Sequence, residues 1–159
     1  MLNPSYERLR QSGAKLNETN DCSVVAYAAT TGTDYETAHY ILADLGERRE
    51  GMPPKWENYL RAFRLMGYNL ELISVSAKTM ITLERDPVVQ SGAYLVATCG
   101  SGHVVGVVDG QIIDWTKGRR NRIKFIWKVT QSESARVDMP ASWANDRTWG
   151  HLFRAVNED

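Results

Sequence analysis

The chain has little of several features that would narrow its function at once. Lys plus Arg and Asp plus Glu balance at 19 each in 159 residues, so no excess of positive charge points to nucleic acid as a partner. No apolar run approaches the roughly 20 residues that span a bilayer, and the charged N-terminal stretch has no apolar signal-peptide core. We therefore expect a cytoplasmic protein without a membrane partner.

The chain also has few cysteines and histidines: two cysteines and three histidines. Two cysteines cannot build a disulfide framework. Cys22, Cys99 and His103 lack the paired, close spacing of a zinc site, and no C-x-x-C or H-x-E occurs. A glycine-rich phosphate loop is also missing. The sequence therefore predicts no metal and no cofactor.

Helix signals fill the first part of the chain. Gly32 suits the position just after a helix, and Thr33 with Glu36 forms a capping box that would open the next one. Pro54 suits the first turn of a third helix, which Gly67 would end. We expect helices over residues 22–31, 35–45 and 54–66.

Strand signals follow, with a short helix expected within residues 76–87. Asp109-Gly110 between two apolar runs predicts a two-residue hairpin turn, and Cys99, in phase with Leu95 and Ala97, is expected in the core. The expected strands lie within residues 69–75, 92–100, 103–110, 111–115 and 117–129. Helices first and antiparallel strands afterwards predict an α+β fold in one domain, residues 1–159.

Cys22 stands where the first apolar helix begins, behind Asn20 and Asp21. A sulfur at this position lies near free backbone amides and the positive end of the helix dipole, a setting that favours the thiolate. A free cysteine with a pKa of about 8.5 is only a few per cent ionised at neutral pH, so such activation matters for a nucleophile. The alternative is that Cys22 is a small buried helix residue.

His103 is the histidine best placed to act as a base. It opens a strand, and Asp114 ends the next strand eleven residues later, so a hairpin turning at 109–110 brings the two side by side. A carboxylate there would orient the imidazole and stabilise its charged form. His39 is expected to be a half-exposed helix residue, and His151 a packing residue.

Asp114 and the basic segment that follows it each have a second interpretation. Asp114 could instead cap a strand end or pair with an arginine from residues 119–122. The basic run over residues 117–124 is either a solvated strand and turn or a docking surface for an acidic partner.

Two stretches carry a family resemblance: NDCSVVAYAATTGTDYETAH around Cys22, and GAYLVATCGSGHVVGVVDGQIIDW around His103 and Asp114. With this order of Cys, His and Asp, the chain resembles the papain-like cysteine peptidase superfamily. It is most similar to the compact branch that includes bacteriocin-leader peptidases and many phage-encoded proteins.

The resemblance implies a papain-like fold, in which N-terminal helices pack on an antiparallel sheet. It implies Cys22 as nucleophile, His103 as general base and acid, and Asp114 as the residue that orients the imidazole. Family members often carry Gln six positions before the cysteine, where this chain has Leu16; Asn17 or Asn20 could donate to the oxyanion instead.

The implied function is thiol-dependent acyl transfer on a peptide or protein substrate, by a hydrolase such as a peptidase or isopeptidase, or by a transferase, encoded in a phage. The alternative is a papain-like scaffold without catalysis that binds and modulates a host protein.

Overall fold

The computed structural model describes residues 3–100, 102–145 and 149–159. It confirms the α+β prediction, because helices pack on an antiparallel sheet of five strands. The α-helices are α1 (Pro4–Lys15), α2 (Cys22–Thr31), α3 (Tyr35–Asp44), α4 (Trp56–Leu65), α5 (Met80–Leu83) and α6 (Trp149–Asn157). The strands are β1 (Tyr68–Ile73), β2 (Ala93–Thr98), β3 (Val104–Val108), β4 (Gln111–Ile113) and β5 (Ile123–Gln131). Within the described ranges, no helix combines the length and the apolar character that crossing a membrane requires.

The sheet has the strand order β1-β5-β2-β3-β4, and each neighbouring pair is antiparallel. The predicted turn between β3 and β4 is confirmed: Asp109 has φ 48° and Gly110 has φ 77°, the left-handed values that a two-residue hairpin loop needs. Val108 therefore pairs with Gln111 across the turn, which sets the register of the whole hairpin.

Helix α2 packs directly on β3, and Gly106 allows the close approach. A Cβ added at Gly106 would lie only 2.9 Å from the Cβ of Ala29 on the helix. Residues 23–28 of α2 are all buried, which explains why the sequence of this helix is apolar on every side. This contact joins the helix that begins at Cys22 to the strand that follows His103.

Two helix starts differ from the sequence-based expectation. Helix α3 is capped by Asp34, whose carboxylate accepts from the backbone N–H of Thr37 at 2.7 Å. The predicted capping box is wrong, because the Thr33 hydroxyl instead lies 3.0 Å from that of Thr31. Helix α4 begins at Trp56 after an extended Lys55, so Pro54 lies outside it.

The end of β2 corrects another expectation. Its pairing with β5 shifts register between Ala97 and Thr98, so the alternation of the strand does not continue to the next residue. Cys99 is consequently exposed and not part of the core.

Sequence patterns do not assign the C-terminal part of the chain. In the structure it runs along β1, the strand at one edge of the sheet. Leu70 exchanges backbone hydrogen bonds with Arg136 and Asp138. Helix α6 then packs on α4, and its buried contact residue is Val156. His151 lies on the exposed face of α6, so the expectation that it packs inside is wrong.

Candidate active site

Cys22 is the first residue of α2, and its side chain is half-buried. Asp21 occupies the N-cap position but makes no side-chain cap, because its carboxylate accepts from the Tyr35 hydroxyl at 2.7 Å. A side chain on Gly13 would collide with that carboxylate at 2.7 Å, so glycine is needed there. The backbone N–H groups of Val24 and Val25 donate to the Asp21 carbonyl, so the amides of Cys22 and Ser23 are the first-turn donors that can interact with a negative group placed beside Cys22.

The imidazole and the carboxylate lie in direct contact. His103 donates from Nε2 to Oδ2 of Asp114 at 2.8 Å, and the two side chains are only 14% and 3% exposed. The same Oδ2 accepts from the backbone N–H of Thr116 at 3.1 Å and from its hydroxyl at 2.6 Å. Asp114 therefore has fixed geometry, and its ion-pair partner is His103 rather than an arginine from 119–122. The Nδ1 of His103 remains available on the other side of the ring.

The ionisation of His103 depends on both neighbours. Burial opposes the charged imidazolium, but the hydrogen bonds to Asp114 and to Cys22 outweigh it and raise the pKa of His103 to about 10. The ring of Trp115 lies 5.1 Å from the imidazole, centroid to centroid, and shields it from water. The geometry therefore favours a protonated imidazole at neutral pH.

A cavity of about 700 Å³ opens over these residues, and its wall includes Asn20, Cys22, His103 and Asp114. Of the two expected oxyanion donors, Asn20 is therefore beside the cysteine. Asn17 is an exposed residue that follows α1 with φ 54°, and the described wall of the cavity does not include it.

A smaller cavity of about 160 Å³ also adjoins Cys22 and shares Pro53 with the larger one. Its wall is largely apolar and comes from residues of α4, β3 and the preceding loop, among them Pro53, Trp56 and Val104. The Tyr59 hydroxyl donates to the backbone carbonyl of Ser23 at 2.8 Å, so α4 also fixes the first turn of α2. Such a cavity can hold an apolar group of a ligand.

The site brings together a thiol, an imidazole and a carboxylate. No cluster of three or more His, Cys, Asp or Glu side chains in the described part of the chain could hold a metal ion.

The chain matches no protein-family model, no curated protein and no solved structure. The interpretation of the site therefore stands on the contacts of its residues.

Sequence reasoning missed four residues around the site. Thr116 could have been found, since Asp followed two positions later by Thr is a turn in which the carboxylate accepts the backbone N–H. Trp115 adjoins Asp114 in the sequence but has no motif of its own. Glu18 and Arg48, a buried pair beside the loop that precedes Cys22, carry no local signal because thirty residues separate them.

His39 lies at the edge of that buried pair. Its Nε2 is 2.6 Å from Oε2 of Glu18, and its side chain is 20% exposed, which confirms the expected half-exposed position. The ring therefore contacts Glu18 of the buried pair and does not line the described cavity around Cys22.

Proposed function

We propose that this chain is a thiol-dependent acyl-transfer enzyme, a cysteine peptidase or isopeptidase, with Cys22 as nucleophile. The observation that carries the proposal is the 2.8 Å hydrogen bond between His103 Nε2 and Asp114 Oδ2. Because Nε2 is occupied by Asp114, Nδ1 of the charged imidazole is the nitrogen left to pair with the Cys22 thiol, which lines the same cavity. An imidazolium beside a cysteine at a helix N-terminus is the setting that stabilises a thiolate.

The reaction then follows from the geometry. The Cys22 thiolate attacks the carbonyl carbon of a peptide or isopeptide bond, and the carbonyl π electrons move onto oxygen. The backbone N–H of Cys22 and the side-chain amide of Asn20 stabilise this oxyanion. His103 gives its proton to the departing amine as the C–N bond breaks, which leaves a thioester on Cys22.

Release uses the same groups in reverse. His103, now neutral, takes a proton from a water molecule that attacks the thioester. The carbon–sulfur bond breaks, the acid product leaves, and the thiolate–imidazolium pair is restored. An amine in place of the water would make the reaction a transfer instead of a hydrolysis.

We also propose that the fold belongs to the papain-like class. Support comes from a helix that begins at the nucleophile and packs on the strand after His103, and from one hairpin that carries both His103 and Asp114. The cavity of about 700 Å³ beside the apolar one of about 160 Å³ suits an extended peptide segment of a protein substrate.

A small activated ester tests the proposal without knowledge of the substrate. With p-nitrophenyl acetate, we expect a burst of p-nitrophenol and an acetyl group on Cys22, detected by peptide mass spectrometry. Cys22→Ala should abolish the burst. Cys99→Ala is the matched control and should keep it, because the Cys99 thiol is exposed and contacts the Ile123 carbonyl.

The opposite result identifies the alternative function. Equal, slow acetylation of both cysteines, or a burst that survives Cys22→Ala, contradicts the enzyme and favours a non-catalytic scaffold that occupies a host protein.

A further inference from the structure

The loop that leads into α2 contains a buried carboxylate that the proposed reaction does not use. The side chains of Glu18 and Arg48 are only 1% and 2% exposed. Arg48 donates from Nη1 to Oε2 of Glu18 at 2.8 Å and from Nη2 to Oε1 at 3.1 Å, a bidentate pair. Taking two charges out of water costs free energy that their attraction barely offsets. A contribution to stability therefore does not explain why this pair is buried here.

The ionised form of Glu18 is strongly favoured. The hydrogen bond from Arg48, with further bonds from the Gly51 backbone and from His39, outweighs burial and lowers the pKa of Glu18 to about 2. The carboxylate can then only accept hydrogen bonds, so His39 donates to it.

The pair joins two loops that face the cavity. Arg48 Nη2 also reaches the backbone carbonyls of Thr19 and Asn20, at 3.3 and 3.4 Å. On the other side, Oε1 of Glu18 accepts from the backbone N–H of Gly51 at 2.8 Å. The loop before Cys22 is thus tied to the loop before α4.

Asn20 completes this connection. Its side-chain amide donates from Nδ2 to the carbonyl of Gly51 at 2.9 Å, and its backbone has the left-handed φ of 50°. A side-chain amide has two N–H donors, so one remains for a ligand in the cavity that Asn20 shares with Cys22. Gly51 therefore contacts Glu18 through its N–H and Asn20 through its carbonyl.

We propose that Glu18 and Arg48 are positioning residues which act through Gly51 to hold the Asn20 amide as an oxyanion donor beside Cys22. This inference rests on the proposed acyl-transfer function. An oxyanion donor is effective when it is already oriented before charge develops, and a buried bidentate ion pair resists the reorientation that an exposed loop asparagine would otherwise undergo.

Two reactions of the same thiol separate this role from a structural one. Iodoacetamide alkylates the thiolate by displacing iodide from a saturated carbon, so no oxyanion forms. Acetylation by p-nitrophenyl acetate passes through a tetrahedral oxyanion. A positioning residue for the oxyanion donor should therefore affect acetylation alone, whereas a general loss of structure lowers both rates.

The experiment measures both rates on Cys22 in four single variants of the full chain. Asn20→Gly removes the amide and tolerates the positive φ, and should lower acetylation about 10²-fold. Glu18→Gln and Arg48→Lys should lower it about 10-fold by loosening the same donor. All three should keep the wild-type alkylation rate. Glu36→Gln, on the exposed first turn of α3, is the matched control and should change neither rate.

A double variant tests whether Glu18 acts through Asn20. Glu18→Gln with Asn20→Gly should acetylate no more slowly than Asn20→Gly alone, because residues that act as a unit are not additive. A double variant that shows the product of the two single losses overturns the positioning role. Arg48→Lys keeps the positive charge and decides the question if Glu18→Gln does not fold.

The remaining outcomes are distinguishable from failure of the proposed function. Equal loss of acetylation and alkylation in Arg48→Lys overturns the inference alone. Unchanged acetylation in Asn20→Gly overturns the inference and removes Asn20 from the oxyanion step, but it leaves Cys22 as the proposed nucleophile. A wild-type chain that is alkylated at Cys22 but never acetylated overturns the proposed function and this inference with it.

Discussion

At the scale of single residues, His103 is held by neighbours of three kinds. Asp114 accepts its Nε2 proton, the ring of Trp115 lies against one side of the imidazole, and Cys22 lines the same cavity. The carboxylate is itself oriented by the hydroxyl and backbone N–H of Thr116. Together these contacts favour the imidazolium over the neutral ring, which is the form that a thiolate partner needs.

The raised pKa of His103 predicts how its contribution to stability changes with pH. Its value of about 10 in the folded protein lies above the ordinary 6.5. The charged pair with Asp114 therefore stabilises the fold fully below pH 6.5, and this contribution is lost as the pH rises through 10. The matched variant is His103→Gln, which carries no charge at any pH.

Denaturant unfolding of the wild type and His103→Gln measures this effect. We expect the difference in their free energies of unfolding to be larger at pH 6 than at pH 10. A difference that stays constant over this range would show that His103 is not ionised by its neighbours.

At the scale of elements, the contact between α2 and β3 brings the start of α2, with Cys22, close to the strand that follows His103. Helix α2 begins with Cys22, whereas His103 precedes β3 and Asp114 follows β4. Gly106 of β3 faces Ala26 and Ala29 of the helix. A change in this spacing should move the thiol relative to the imidazole.

Gly106→Ala tests this dependence. The added Cβ would lie 2.9 Å from that of Ala29, so the helix must shift, and we expect a loss of about 1–3 kcal/mol in stability together with slower alkylation of Cys22. Adding Ala29→Gly should restore the alkylation rate, but only part of the stability, because glycine within a helix itself costs about 1 kcal/mol.

The matched control for that change is Gly150→Ala in α6. The nearest atom to an added Cβ there is 3.5 Å away, an ordinary contact, so neither property should fall. If Gly106→Ala destabilises the fold without changing the alkylation rate, the helix–strand spacing does not set the geometry of the site.

At the scale of the whole molecule, the site combines parts that differ in how well the sequence predicts them. The start of α2 at Cys22 and the hairpin turn at Asp109-Gly110 follow from local patterns, since capping and turn residues act over a few positions. The contact between His103 and Asp114 then follows from the register of that one hairpin.

Other features of the structure depend on contacts between residues that are far apart in the sequence. Local sequence patterns cannot predict such contacts. Glu18 meets Arg48 and Gly51 only after the two loops come together. The exposure of Cys99 depends on a register shift against β5. The position of α6 depends on its packing against α4. None of these has a signature within a short window of sequence.

The two cysteines allow one measurement to test the activated thiol directly, since both can be followed in the same molecule. At pH 6, iodoacetamide should alkylate Cys22 at least about 10-fold faster than the more exposed Cys99, because an ordinary thiol is almost wholly protonated there. His103→Ala should remove this advantage. Alkylation of Cys99 at the same rate as Cys22, or an advantage of Cys22 that survives His103→Ala, would contradict a thiolate–imidazolium pair at this site.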